Sequence, residues 1–380
     1  MFIPRFKSST ILLLATLVTT LLWAACADAQ PLQTGETWKT DWSKHSIDLD
    51  ELMSGGPSKD GIPSITHPQF VSIEKAGQWL ALPEPVIALA IEGVARAYPL
   101  QIMTWHEIAI DEVGGVPVVV TFCPLCYSAV AYDRRVDGQV LSFGVSGLLR
   151  HSDLVMFDRQ TESLWQQLSG EAIVGAYTGV RLRPLPAQII SFEQFARAYP
   201  EGAVLSRETG HVRSYGRNPY AGYDNIEERP FLYRGPRDKR LPPMEKVVAV
   251  SLGDADKAYP HSITRQQRVV HDEVGGEPLV VFHDDGAVSA LDQSLIRDSQ
   301  EIGSTGVFDP RLDGRLLRFR YEDGRFIDQE TKSTWDITGR AVAGELEGKR
   351  LRPIPHGDFF AFAWFAFKPE TTLYQATPQP

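Results

Sequence analysis

VIALAIEGVARAYPLQIMTWHEIAIDEVGGVPVVVTFCPLCYSA, residues 86–129, has a close counterpart later in the chain. Residues 247–290 read VVAVSLGDADKAYPHSITRQQRVVHDEVGGEPLVVFHDDGAVSA and align with it without a gap, at an offset of 161 (247 − 86). Both stretches contain Ala-Tyr-Pro and Asp-Glu-Val-Gly-Gly at the same places. Two copies at so long a period predict a tandem duplication of one domain, because a solenoid needs several short repeats.

Each copy has the pattern of a β-rich domain. Short runs of β-branched and aromatic residues, such as 118–122, are bounded by turn signals and predict strands. Helical signal is limited to residues 72–80 and to a capping-box start at 191–194. The sequence therefore predicts a mainly β, β-rich α+β fold with few short helices. The pattern D-x-x-T-x-S-x-W at 158–165 and 328–335 is expected to form Asx turns and core contacts.

The beginning of the chain has the layout of a secretory signal peptide. A positively charged start precedes an apolar run over residues 11–25, and Ala27-Asp28-Ala29 offers a small-residue cleavage site. Cleavage after Ala29 would give an exported protein, periplasmic or secreted. The alternative is a lipid anchor at Cys26, although Trp23 stands where a lipoprotein usually has Leu.

The signal peptide and the repeat together predict how the chain is divided. The predicted segments are a signal peptide (1–29), an N-terminal arm (30–85), a first repeat domain (86–205), an ordered connection (206–246), a second, degenerate repeat domain (247–374) and a tail (375–380).

The chain is acidic, with a net charge of −10. Residues 1–29 contain Arg5, Lys7 and Asp28, a net +1, so the mature chain has a charge of −11. An acidic chain without a basic cluster argues against nucleic acid and against anionic membrane surfaces as partners. No apolar run reaches the roughly 20 residues of a spanning helix. We therefore expect no membrane span, and the sequence identifies no partner.

Two cysteines dominate the chemistry of the mature chain. Cys123 and Cys126 are separated by Pro-Leu and stand between two predicted strands. At the offset of 161 they face Asp284 and Ala287, and His106 faces a glutamine. The soft-ligand side chains are therefore present in the first copy only. This asymmetry predicts that the first copy carries the functional site and that the second copy is structural.

The leading hypothesis is a soft-metal site. A tight turn that aims two sulfurs at one ion resembles a zinc knuckle, and structural zinc usually takes four protein ligands. His106 is the best additional ligand, and His151, Met156 and Met103 are weaker candidates. Two cysteines completed by His or Met suit copper or zinc. Such a site would serve extracytoplasmic metal handling or act as a catalytic centre.

Two other functions stay open for the same pair. One is a thiol–disulfide oxidoreductase that uses Cys123 and Cys126, although such enzymes usually place the first cysteine at a helix N-terminus. The other is a non-catalytic binding module with an inert disulfide, which would close a four-residue loop and stabilise the fold by only about 2 kcal/mol. The residues alone do not choose between these functions, nor do they decide whether the protein is an enzyme.

Several longer motifs resemble one known family. KDGIPSI, ARAYPLQIMTWHEI, VVVTFCPLCYSAVAYDR, FGVSGLLRHSDLVMFDRQTESLWQQLSGEAIVG and TGHVRSYGRNPYAGY occur in this order. Over roughly residues 50–355 the chain is similar to a family of exported microbial proteins defined only as a domain of unknown function, DUF 3179. The resemblance implies no established activity. It implies these hallmark positions: Tyr98, His106, Cys123, Cys126, Ser146, Ser152, Asp153, Asp158, Trp165 and Tyr215.

Overall fold

The computed structural model describes residues 36–376 and has a β-rich α+β fold, as predicted. The predicted signal peptide and Cys26 lie outside the described residues, as does the end of the tail. In the described part of the chain, no helix is long and apolar enough to cross a membrane.

The strands before residue 206 form three larger sheets and one small hairpin, and short helices lie between them. Their bounds are β1 (Leu52–Ser54), β2 (Phe70–Ser72), α1 (Ile73–Ala76), β3 (Pro85–Ile91), β4 (Val94–Pro99), α2 (Leu100–His106), β5 (Ile108–Val113), β6 (Val116–Cys123), β7 (Ser128–Asp133), β8 (Arg135–Val136), β9 (Gln139–Val140), β10 (Phe143–Arg150), β11 (Asp153–Asp158), β12 (Leu164–Gln166), β13 (Ala172–Val174), β14 (Arg183–Leu185), β15 (Ala187–Ser191), α3 (Phe192–Ala198) and β16 (Ala203–Leu205).

Residues 206–245 form a connection without helix or strand. The elements after it are β17 (Lys246–Leu252), β18 (Ala255–Pro260), α4 (His261–Gln267), β19 (Val269–Val274), β20 (Glu277–Asp284), β21 (Ser304–Asp309), β22 (Arg311–Leu312), β23 (Arg315–Leu316), β24 (Phe319–Glu322), β25 (Arg325–Asp328), β26 (Thr334–Trp335), β27 (Ala341–Ala343), β28 (Arg352–Pro353), β29 (His356–Phe360), α5 (Ala361–Phe367) and β30 (Thr372–Leu373).

The two halves have the same strand order. The sheets β15-β3-β4-β16, β5-β6-β7-β14 and β10-β11-β12-β13 correspond to β29-β17-β18-β30, β19-β20-β21-β28 and β24-β25-β26-β27, and the hairpin β8-β9 corresponds to β22-β23. The predicted arm adds β1 and β2 as edge strands to two of the first-half sheets. A duplication of one domain remains a prediction, which this shared order supports.

The shared Gly-Gly motif has a structural reason in both halves. Gly114 has a φ of +56°, and a Cβ added there would lie 2.4 Å from the carbonyl oxygen of Ile91. Gly275 has a φ of +60°, and its added Cβ would lie 2.4 Å from the carbonyl oxygen of Leu252. Only glycine combines that backbone conformation with so close an approach. The motif therefore fixes the β5–β6 and β19–β20 turns.

The structure corrects the gap-free alignment after residue 284. Cys123 and Asp284 both end their strands, as the offset of 161 predicts. The returning strand begins five residues after Cys123, at Ser128, but twenty residues after Asp284, at Ser304. Cys126 therefore has no counterpart in the second half, because a long loop replaces its turn and Ala287 lies in that loop.

The hydrophobic cores join the halves. The largest core cluster contains Cys123 and Cys126 together with apolar residues of β17, β29 and α5. A second cluster combines residues of α3 with residues of β20, β21 and β24–β26. The first half therefore buries its site against the second half as well as within its own sheets.

Candidate metal centre

Both cysteines lie on one tight turn between two strands, as the sequence predicts. Strand β6 ends at Cys123, a short 3₁₀ turn spans Pro124–Cys126, and β7 begins at Ser128. Tyr127 closes the turn in the left-handed conformation, with a φ of 53°. Proline fixes the start of the turn, since its φ is already suited to the first position of a helical turn. This geometry brings the two thiols to the same side of the hairpin.

Asp153 approaches the same point from a second hairpin. His151 and Ser152 form the turn between β10 and β11, and both have a positive φ, of 50° and 71°. Such a two-residue turn usually contains Asn or Gly, because these residues adopt a positive φ most easily. His151 and Ser152 therefore adopt this backbone conformation at some cost in free energy. The Cys123 Sγ lies 3.9 Å from the Ser152 carbonyl oxygen. The two turns therefore face each other directly.

The three side chains form the candidate metal centre. One ligand atom from each of Cys123, Cys126 and Asp153 lies within 4.8 Å of the other two. In residues 36–376, no other group of three or more His, Cys, Asp or Glu side chains meets that criterion. All three side chains are buried. Sulfur and carboxylate oxygen are both metal-ligand atoms, so this group has the composition of a site that could hold a metal ion.

The cysteines are free thiols in the structure. The disulfide expected for an inert binding module is therefore not formed. The pair keeps its capacity to bind a metal or to exchange with another disulfide.

Burial determines the protonation of the cluster. It raises the pKa of both thiols, that of Cys126 well above 9, and the neighbouring Asp153 carboxylate acts in the same direction. Burial also raises the pKa of Asp153 to about 6, although hydrogen bonds oppose this shift. Without a cation, both thiols are therefore protonated at neutral pH.

The Asp153 carboxylate is held in position through one oxygen. Its Oδ2 accepts hydrogen bonds from Gln166 Nε2 at 2.6 Å and from the Leu168 backbone N–H at 3.0 Å. Its Oδ1 is buried and has no N–H or O–H donor among the described residues, and the thiols of Cys123 and Cys126 are the hydrogen-bond donors beside this carboxyl group. Loss of the thiol protons would leave that oxygen free to coordinate an ion.

Glu107 adds a fourth acidic group near the cluster. It directly follows helix α2, and its backbone carbonyl accepts a hydrogen bond from the Phe122 N–H, one residue before Cys123. Burial, followed by the charge of Asp153, raises the pKa of Glu107 to about 8. The charge of Asp153 therefore affects the protonation of Glu107, although Glu107 is not one of the three clustered side chains.

His106 is not one of the three clustered side chains, so its role as a ligand remains a prediction. Its Nδ1 lies 2.7 Å from the Pro63 carbonyl oxygen, so this nitrogen carries the proton and donates it. Its Nε2 then accepts the hydroxyl of Tyr215 at 2.6 Å. Burial lowers the pKa of His106 to about 4, so the ring is neutral. Both nitrogens are thus engaged, and Asp153 takes the third place in the cluster.

The weaker candidates have other surroundings. His151 forms part of the turn that positions Asp153, but its Nε2 lies 3.1 Å from a carboxylate oxygen of Glu51. Met103 and Met156 are fully buried in the same apolar core as the cysteines. A role for either methionine as a ligand remains a prediction.

The connection covers the candidate metal centre. Tyr223 donates its hydroxyl to the Leu125 carbonyl inside the cysteine turn, at 3.0 Å, and accepts the Phe231 N–H at 3.1 Å. Ser152, in the facing turn, donates to the carbonyl of Phe231. Tyr220 packs against the same core. These contacts tie one covering segment to both turns of the site.

The two thiols and the carboxyl group on two facing hairpin turns place the chain among β-rich α+β proteins with a candidate metal centre. Residues 59–371 match the family described as a protein of unknown function (DUF3179), and the chain belongs to that family. None of the curated proteins and none of the solved structures compared with the chain matches it.

Sequence reasoning did not select Asp153 and Glu107 as site residues. Asp153 is 27 residues from Cys126 in the sequence. The two residues come together only because their hairpin turns pack against each other. The place of Asp153 among the family hallmarks was the available signal. Glu107 stands next to His106 in the segment where the two copies diverge, and of the two the sequence favours His106 as a ligand because histidine is the commonest metal ligand.

Proposed function

We propose that the protein binds one zinc ion through Cys123, Cys126 and Asp153. The convergence of three ligand atoms within 4.8 Å is the observation that carries the proposal. Thiolates and carboxylates both coordinate zinc in proteins, whereas copper(I) prefers soft ligands alone. Zinc is therefore favoured, and copper is the alternative. Three protein ligands leave a position for water or for a further ligand, as in catalytic zinc sites.

Charge also supports a cation at this site. With both thiols and Asp153 ionised the cluster would carry three negative charges inside the protein, and Glu107 lies close enough to add to the repulsion. A divalent cation would offset two of these charges and lower the pKa of each ligand. The bound ion would be the reason why so many acidic groups are buried together.

Cobalt(II) substitution tests the ligand set. Cobalt(II) takes the place of zinc in such sites and has visible absorption bands, with additional near-ultraviolet bands when thiolates are ligands. We expect both types of band at one cobalt per chain. Loss of the near-ultraviolet bands in Cys123→Ser/Cys126→Ser would support the proposal, whereas a wild-type spectrum of hydrated cobalt would contradict it.

The pH dependence of affinity provides a second test. Near pH 7.5 the thiols hold their protons and Asp153 is mostly ionised, so zinc binding would release about two protons, rising toward three below pH 6. Affinity would then fall about 100-fold per pH unit between pH 7.5 and 6, and up to about 1,000-fold per unit at lower pH. Competition titrations at several pH values measure this slope, and a flat profile would contradict thiolate ligation.

Thiol–disulfide exchange is the second candidate function, because the two thiols are free and adjacent. However, the attacking group in such exchange is a thiolate, and burial here raises the pKa of both cysteines. Catalysed reduction of a model disulfide, lost in Cys123→Ser, would favour this function over zinc binding.

Export of the protein belongs to the same proposal. It is supported by residues 1–29, which have the charge, apolar run and cleavage site of a signal peptide. The mature chain would begin at Gln30. The intact mass of protein from the periplasm or medium tests this, and a chain that retains Met1 would contradict it.

A further inference from the structure

Three arginine side chains line one cavity at the junction of the two halves. The cavity has a volume of about 400 Å³, and its wall combines residues that follow α1, residues of the connection and residues of the long loop between β20 and β21. The connection supplies Arg207 and Arg217, and the loop supplies Arg297. One acidic side chain, Glu84, lies on the same wall. The chain as a whole has 48 acidic and 38 basic residues, so this wall reverses the overall balance of charge.

The backbone holds two of these arginines on neighbouring segments. Arg217 and Leu295 form an antiparallel β-bridge, and the Ile296 N–H donates to the Gly216 carbonyl at 3.1 Å. Arg297 follows directly in the chain. The fold therefore places two like charges beside one cavity, at a cost in repulsion that a partner of opposite charge would offset.

Arg207 is the half-buried member of the three. Its guanidinium lies over the ring of Trp79, 4.7 Å from the ring centroid, and its Nε donates to Gln101 Oε1 at 2.9 Å. Its other hydrogen bonds to described residues go to the same amide oxygen and to backbone carbonyls, and none goes to a carboxylate. Burial lowers the pKa of Arg207, since these neutral partners do not replace the lost solvent. The half-buried charge is thus held in place without a counter-ion beside it.

Open N–H donors remain on all three side chains. The Nη1 of Arg207 donates to no described residue and is not fully buried. Arg217 and Arg297 are exposed, and the ionic contact of Arg297 with Asp298 is loose, at 3.7 Å. Guanidinium groups bind carboxylate and phosphate oxygens through paired N–H bonds. The donor set therefore favours an oxyanion over a neutral ligand.

Glu84 does not neutralise these cations. Its Oε1 accepts the Ala81 N–H at 3.0 Å and its Oε2 accepts Gln101 Nε2 at 2.6 Å, so both oxygens are engaged by neutral donors. The side chain is buried, and burial raises its pKa. Even when Glu84 is fully ionised, three cations and one anion leave the wall with a charge of +2 (3 − 1). A ligand with two negative charges would compensate this excess.

We propose that this cavity binds a small organic dianion, a dicarboxylate or a phosphate monoester, whose oxygens accept the N–H groups of Arg207, Arg217 and Arg297. The volume falls within the range of about 300–1,000 Å³ that is usual for small-molecule sites. The site contains none of the proposed zinc ligands and does not depend on zinc. The long loop that replaces the cysteine turn would thereby give the second half a binding role.

Calorimetric titration at pH 7.5 and low salt tests the proposal on the mature protein. The probes are succinate, glycerol 3-phosphate and succinamide, the neutral diamide with the carbon chain of succinate. We expect saturable binding of a dianion at one per chain, and binding of succinamide that is at least tenfold weaker. Binding of only one dianion would identify carboxylate or phosphate as the ligand group. Equal binding of succinamide, or no binding of either dianion, would overturn the proposal.

Variants locate the binding site. Arg207→Gln and Arg297→Gln should each weaken binding of the dianion about tenfold or more, since each removes hydrogen bonds between charged groups. Arg234→Gln is the matched control, because Arg234 is an exposed arginine of the connection that does not line the cavity. If Arg207→Gln fails to fold, the exposed Arg297 and the probe comparison still decide. Unchanged binding in Arg297→Gln, an equal loss in Arg234→Gln, or loss of binding in Cys123→Ser/Cys126→Ser would overturn the proposal.

Discussion

The turn after β6 and the loop after β20 stand at the same point of the two halves but present different chemistry. In the first half, five residues carry two thiols and return at once into β7. In the second half, a long loop after Asp284 delays the return to β21. Only the short turn can aim two neighbouring side chains at one point. The surrounding sheets are therefore common to both halves, whereas the turn determines which side chains form a site.

Features common to both halves maintain the fold. Asp158 accepts the Thr161 N–H and the Trp165 Nε1–H, and Asp328 accepts the corresponding groups of Thr331 and Trp335. The Asx-turn and core roles predicted for this motif are therefore confirmed. Because these networks are the same in a half with the cysteines and in a half without them, they are structural.

The largest effect is expected when the cysteines are removed. Cys123→Ser/Cys126→Ser should abolish stoichiometric zinc binding, because thiolates supply two of the three proposed ligands. The matched change in the second half, Asp284→Ser, should leave zinc binding intact. Competition titration against a chromophoric chelator measures both variants. Zinc binding retained without the cysteines, or lost with Asp284, would break the comparison.

A second pair of variants separates Asp153 from His106. Asp153→Asn keeps the shape of the side chain but removes the anionic ligand, and should weaken zinc affinity roughly 100-fold. His106→Gln should change the affinity less than about threefold, since both ring nitrogens are engaged elsewhere. The same chelator titration measures the two values. A larger loss of zinc affinity in His106→Gln than in Asp153→Asn would show that His106, and not Asp153, is the ligand.

The metal-free protein should become less stable as pH rises, in part because of Glu107. Its folded pKa of about 8 lies above the unfolded value of about 4.3, so the stability that its protonated form contributes is present at low pH and is lost as pH rises toward 8. Urea unfolding with chelator at pH 5.5 and 7.5 should show a loss of about 2–3 kcal/mol that Glu107→Gln removes.

An exposed carboxyl group on β5, the strand that directly follows Glu107, controls for this effect. Glu112→Gln should leave the pH dependence unchanged, because Glu112 is exposed. A pH profile that is the same in Glu107→Gln and in wild type would show that this carboxyl group is not perturbed by the cluster. The equivalent position in the second half is Arg268, which is paired with Asp285 and predicts no comparable effect.

The smallest effect concerns access to the site. Tyr223→Phe removes the hydrogen bonds that tie the connection to the cysteine turn, and should speed thiol labelling of the metal-free protein by about tenfold. Tyr233→Phe is the control, since the Tyr233 hydroxyl bonds to Pro236 within the connection itself. Equal rates in both variants would show that this link does not limit access.

Local patterns predicted what depends on neighbouring residues. Strand β7 runs over residues 128–133 as expected, the capping box at Ser191 starts α3, and the cysteine turn lies between strands. Helix α2 was not predicted, since its apolar residues are buried all round and show no amphipathic period. Asp153 was also not selected, because its approach to the cysteines depends on how two separate hairpins pack.

Binding of one zinc ion by Cys123, Cys126 and Asp153 is the proposal on which the other predictions depend. Elemental mass spectrometry and thiol titration on one sample of mature protein, purified without chelator, test it most directly. We predict about one zinc per chain and no thiol that reacts until the metal is removed. A metal-free chain whose two thiols react at once, or one in which they are joined as a disulfide, would contradict the proposal.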